Sequence, residues 1–295
     1  RNVAEQERAE KEEPFRPYPK DDELDDLKGQ IKFGLNIPNN EEFGLSLIDF
    51  TQILATYGVP GTGKTWLNTL ISNQLLGIPD KKFNIIAIDR KRDYVHLIKK
   101  HPNLVILKTE NIRFNIFEEK EGWLDAVQVI SDENYFGASS QPVIEQAYEE
   151  CLIDNGMLVN GKFQDTENYP NYSQILKKLL QITGKLKGAH YRDIESKIAA
   201  RFGQYIRTGE IFNCRKGYPL SFWLNNDIII VPDEMNRTQI RSFIIGLAHR
   251  IFRHYKKHNM RGDQLRTLFL LDEGGWLLDA KRDSDMFITN EALDD

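Results

Sequence analysis

An α/β fold, with a mostly parallel sheet and helices on both faces, is predicted by three observations in this sequence. A short β-prone run leads into a glycine-rich turn and then into a helical repeat, all within residues 53–76. Further apolar runs, at 83–89 and 268–273, end in acidic residues, as strands buried on both faces of a parallel sheet do. Between them lie apolar repeats of helical period.

The first observation organises the rest. Ile53-Leu54-Ala55-Thr56-Tyr57 reads as a buried strand, and Trp66, Leu67, Leu70, Ile71, Leu75 and Leu76 recur at helical spacing before a stop at Gly77 and Pro79. Between them, Gly58-Val59-Pro60-Gly61-Thr62-Gly63-Lys64-Thr65 fits the pattern G-x-x-x-x-G-K-[ST]. A strand, a glycine turn and a helix in that order aim backbone N–H groups and the helix's positive end at a polyphosphate. The expected nucleotide contacts are Pro60, Gly61, Thr62, Gly63, Lys64, Thr65 and Trp66. Lys64 would reach the β- and γ-phosphates, and the Thr65 hydroxyl would hold magnesium. The bound species expected is ATP.

Composition bounds the alternatives. The chain has 295 residues, 40% hydrophobic and 28% charged, an ordinary globular balance. Its net charge of −5 argues against a uniformly basic nucleic-acid binder, although a motor can keep basic surface local to a pore. Cys151 and Cys214 stand far apart without a C-x-x-C partner, so neither a disulfide framework nor a zinc site is expected, and a reducing cytoplasm fits. No apolar run approaches the roughly 20 residues of a membrane span. The chain begins at Arg1 and stops shortly after its last motif, so both ends read as cuts in a longer protein.

In chain order, residues 1–28 are rich in Glu, Asp, Lys and Arg and read as a linker or arm, or a segment lying on a neighbouring subunit. The ATPase domain is expected over 29–295, with a helical insertion at about 121–210. Ile31 to Leu35 alternates as a strand, Pro38-Asn39-Asn40 reads as a turn, and Leu45 to Phe50 as a second strand. Asp89, at the end of the 83–89 strand, is either at a ligand position or a cap for the helix carrying Tyr94, Leu97 and Ile98. Leu104 to Leu107 is a further strand.

Four helices follow. They are marked by Trp123, Val127 and Ile130; by Val143 to Cys151, ended at Asn155-Gly156; by Ile175 to Leu180; and by Ile194 to Ile206. Asn160 to Asn171 reads as an exposed loop. A strand at Asp227 to Val231 then precedes a long helix from about Arg237. Arg250, Arg253, Lys256, Lys257 and Arg261 near its end either complement the helix dipole or face DNA. His254 and His258 stand at metal-ligand spacing without an acidic third ligand.

Leu268-Phe269-Leu270-Leu271-Asp272-Glu273 is an apolar strand ending in two acids. Phosphate-loop hydrolases use such a pair, the first acid for magnesium and the second to polarise the attacking water. Asp272 is therefore expected at the metal and Glu273 as catalytic base. Asp233-Glu234 is the rival pair, but Pro232 interrupts its strand and a long helix follows, which suits helix entry.

Lys64 and Asp272 lie 208 residues apart (272 − 64), longer than is usual in the AAA+ class. With Ile31-Lys32-Phe33-Gly34, Leu45 to Tyr57, Ile85 to Tyr94, Arg113-Phe114-Asn115-Ile116-Phe117 and Leu268 to Glu273 in this order, the chain resembles the HerA/FtsK superfamily of ring motors, which includes conjugation and type IV secretion ATPases. The family usually has a Thr-Gly-Ser-Gly-Lys setting where this loop has Val59-Pro60, and no arginine finger is assigned here. The resemblance implies a RecA-like phosphate-loop fold, a homohexameric ring with nucleotide between subunits, and ATP-driven translocation or unwinding of double-stranded DNA in the cytoplasm. Two other readings stay open: a secretion or conjugation motor acting on protein, and a nucleotide-bound scaffold for a nuclease or other defence effector.

Overall fold

The structure, a computed structural model, describes residues 28–35, 40–56, 59, 61–120, 122–134, 136, 139–185, 189–260 and 264–271. The chain divides into two compact units, Arg1–Lys82 with Asp263–Leu268, and Phe83–Gly262 with Phe269–Asp295.

In the first unit, β1 (Ile31–Leu35) pairs antiparallel with β2 (Glu42–Leu45), Ile31 opposite Leu45. Helix α1 (Lys64–Leu76) joins this hairpin through one side chain. The Gln74 amide accepts from Lys32 N–H and donates to Lys32 carbonyl, both at 2.8 Å, so it completes the backbone pairing of a strand residue as another strand would. Two expectations are corrected here. Leu47–Thr51 is a 3-10 turn, not a strand, because the Asp49 carboxylate accepts from Ser46 N–H and hydroxyl and closes a capping box. Ile53 to Thr56 make no ladder, and Ile53 and Leu54 are exposed. Their side chains favour a strand, but a strand exists only where a neighbour takes its N–H and C=O groups.

The second unit is built on parallel strands. β3 (Asn84–Ile88) and β4 (Val105–Lys108) both run parallel to β7 (Ile228–Val231), and the order is β4-β7-β3-β8, with Phe269–Leu271 of β8 (Thr267–Leu271) in this unit. Every residue of β3 and β7 is buried, which explains their unbroken apolar sequences. Asn84 is the polar exception, and its amide donates to the carbonyls of Trp223 and Asn226.

The helices are α2 (Trp123–Glu133), α3 (Gln141–Asp154), α4 (Tyr172–Thr183), α5 (Ala189–Arg207), α6 (Leu220–Asn225) and α7 (Arg237–Lys257). The sequence encodes several of their ends. Asn171 with Gln174 and Asn236 with Gln239 close capping boxes on α4 and α7. Between α3 and α4 the expected loop instead begins with a small hairpin, β5 (Leu158–Val159) and β6 (Lys162–Phe163). Its tip, Asn160-Gly161, has positive φ at both residues, the conformation that an Asn-Gly hairpin turn selects. Tyr169 and Pro170 beyond it are buried, since the buried Asn115 amide donates to Pro170 carbonyl at 3.0 Å. The same amide donates to Arg215 carbonyl, and its oxygen accepts from Phe117 N–H. Asn115 thereby ties three segments together, which is the role its sequence left open.

One core joins sheet and helices, with Ile86, Phe117, Tyr148, Ile198, Trp223 and Leu247 among its buried members. Inside it, Glu133 of α2 and Arg241 of α7 form a two-pronged ion pair at 2.7 and 3.2 Å, their side chains 4% and 5% exposed. A second cluster sits nearer the surface. Glu119 accepts from Arg250 and Arg253 at 2.9 Å, and Arg253 reaches on to Asp125. Arg250 and Arg253 are therefore engaged by acids of this chain. Arg261 lies outside the described residues. His258 Nδ1 lies 2.8 Å from His254 carbonyl, and no group of three metal-ligating side chains occurs among the described residues.

Glu118 carries a pH signature. Burial raises its pKa above the ordinary value, against the pull of a 2.7 Å bond from Gly217 N–H and of nearby Arg250 and Lys216. A carboxyl raised on folding contributes stability that is present below its unfolded pKa and lost as pH rises through its folded value. Glu118→Gln keeps an acceptor for Gly217 and does not titrate. Thermal melts should show the variant gaining on the wild type as pH rises above the ordinary carboxylate range; a constant difference would contradict the buried-acid account.

Candidate functional site

The phosphate loop is carried by the first unit at the start of α1. Gly61 and Gly63 both have φ of 85°. A Cβ there would cost about 1–2 kcal/mol, so glycine is what lets the chain reverse twice within three residues. Thr62 N–H and hydroxyl both point to Val59 carbonyl, at 3.3 and 2.8 Å, and close the turn.

Gly63 is the N-cap of α1, so no side chain competes for the first turn, and the first helical bond is Leu67 N–H to Gly63 carbonyl at 2.9 Å. The N–H groups ahead of that bond have no partner within the helix. Lys64 Nζ donates to Val59 carbonyl at 2.8 Å, folded across the loop's own mouth. Gly61, Thr62 and Gly63 are exposed, while Lys64 and Thr65 are half-buried. An open ring of N–H dipoles with one ammonium and one hydroxyl fits a polyphosphate and its magnesium.

In the second unit, the carboxyl ends of three strands are tied to one another. Asp89, fully buried after β3, accepts from Asp93 and Tyr94 N–H at 2.8 Å and so closes the turn that follows the strand. Beyond that turn, Val95–Lys99 is a 3-10 turn rather than an α-helix, with Tyr94 at its N-cap and no side-chain cap. Thr109, after β4, donates to Val231 carbonyl at 3.2 Å and accepts Glu234 N–H at 3.3 Å. Asp233, after β7, pairs with Arg92, which holds a positive φ of 63°.

Sequence reasoning missed Arg92 and Thr109. A single cation or hydroxyl after a strand carries no pattern, and only the parallel register brings them beside the β7 turn. The rival acid Asp233 is thus engaged by a cation. Pro60, Asp272 and Glu273 lie outside the described residues.

The chain thus carries a glycine loop at a helix start and, in its second unit, parallel strands with helices between β4 and β7. A sequence model of the central domain of helicase HerA matches residues 40–202. The chain belongs to the HerA central-domain family. That span takes in the phosphate loop, β3, β4 and most of α2–α5, so this HerA-family chain is a HerA/FtsK-type phosphate-loop ATPase. No curated protein matches it. Among solved structures, VirB4 of Thermoanaerobacter pseudethanolicus is similar with a TM-score of 0.55 at 11% identity, over 86% of this chain and 70% of that one. The likeness gives the fold, α/β and RecA-like, as expected. Among the described residues, no helix is long and apolar enough to cross a membrane.

Proposed function

We propose that this HerA-family ATPase is a cytoplasmic motor that assembles as a homohexameric ring and uses ATP to translocate or unwind double-stranded DNA. The observation that supports it best is the exposed phosphate loop, with its two left-handed glycines, in a HerA central domain. In this reading residues 29–295 are one ATPase domain with 121–210 inserted, and 1–28 form a charged arm.

Each residue has a part in the chemistry. The N–H groups of residues 61–66 bind and orient the phosphates, and Lys64 leaves Val59 carbonyl to neutralise the β- and γ-phosphate charge. Thr65 and Asp272 would hold magnesium, which when bound offsets charge on the phosphate oxygens. Glu273 orients the attacking water and takes its proton. The ring lets a neighbouring subunit supply the arginine that completes the site.

The test is ATP turnover by the full-length protein with and without double-stranded DNA. The reading expects DNA to raise turnover severalfold. Turnover indifferent to DNA contradicts translocation and transfers the case to a secretion motor or an effector scaffold.

A further inference from the structure

The helical repeat groups Trp66 with Leu67, Leu70, Ile71, Leu75 and Leu76, yet the structure buries Leu75 and leaves Trp66 68% exposed. Removing so large an apolar ring from water is strongly favourable, and tryptophan is among the residues most buried on average. An indole left open beside a ligand loop therefore points to an occupant.

Its position defines that occupant. Trp66 follows Thr65 in the first turn of α1. Helical Cα–Cβ bonds tilt toward the helix N-terminus, so the side chain covers the turn ahead of its own Cα. For Trp66 that turn is the phosphate loop. The loop's N–H groups cradle the α- and β-phosphates while Lys64 reaches β and γ. The residue just past Thr65 is then on the α-phosphate side, where the nucleoside leaves the cradle. Val59, 69% exposed on the same loop, adds apolar surface.

We infer that Trp66 is the stacking platform for the nucleobase, which makes this site select nucleoside triphosphates over bare polyphosphate and purines over pyrimidines. The larger purine ring covers more of the indole. The inference rests on the nucleotide reading of the loop, and its test separates the two.

Binding of ATP, CTP and inorganic tripolyphosphate is measured on the full-length protein, on Trp66→Ala and on Trp66→Phe. Trp66→Ala should weaken ATP about tenfold, 1.4 kcal/mol, leave tripolyphosphate unchanged and narrow the ATP-to-CTP ratio; Trp66→Phe should recover most of the loss. ATP should also quench a component of tryptophan emission that Trp66→Phe lacks, while tripolyphosphate leaves it unquenched. Trp66→Ala weakening ATP and tripolyphosphate equally, or weakening neither, overturns the stacking role alone. A wild-type protein that binds neither ATP nor tripolyphosphate overturns the nucleotide reading and the stacking role with it.

Discussion

Lys64→Ala should lower ATP turnover about a hundredfold or more, the scale of loss when a single charge-stabilising donor is removed from a transition state. In the structure the Lys64 ammonium rests on Val59 carbonyl at 2.8 Å, a weak neutral acceptor that a phosphate oxygen displaces. Removing it takes away the one side-chain cation of the loop, so binding and turnover should fall together. Glu273→Gln separates the two. It leaves the cradle intact, so ATP binding should persist while turnover falls by a similar factor. Measured side by side, these variants assign Lys64 to the phosphates and Glu273 to the water. Normal turnover in Glu273→Gln would refute that base assignment and make Glu234 the next candidate.

The largest effect on stability is expected from Arg241→Ala. Glu133 and Arg241 are both almost fully buried and bonded through two N–H···O contacts. Removing the cation leaves a carboxylate in the interior without its partner, a loss of about 3–5 kcal/mol. Replacing both, as Glu133→Leu with Arg241→Met, restores apolar packing and removes the stranded charge. Denaturant titration should find the double variant closer to the wild type than Arg241→Ala. A double variant as unstable as the single one would show that packing of the α2–α7 contact, not the uncompensated charge, sets the cost.

Much of this was legible in the residues. The phosphate loop could be read because its demands are local: glycine where φ turns positive, a lysine, a hydroxyl and a helix start. β3 and β7 could be read because burial on both faces leaves unbroken apolar runs. The helices of 121–210 showed their periods.

What escaped depends on partners far away in sequence. Ile53 to Thr56 carry strand-forming side chains, yet a ladder needs a second strand in register, and their composition says nothing about one. Arg250 and Arg253 stayed between complementing the helix dipole and facing DNA because the acids that bind them, Glu119 and Asp125, sit more than a hundred residues earlier. Trp66 fits the helical stripe by spacing and leaves it by orientation. In the site, Asp89 carried two meanings in sequence, a ligand position or a helix cap, and its carboxylate instead closes the turn after β3 on Asp93 and Tyr94 N–H.

The most direct measurement is equilibrium dialysis of ATP with magnesium against the full-length protein. The account predicts saturable binding of one ATP per chain, displaced by inorganic tripolyphosphate and lost in Lys64→Ala. No saturable binding, or binding that Lys64→Ala leaves unchanged, would contradict the claim that residues 58–65 form the nucleotide cradle.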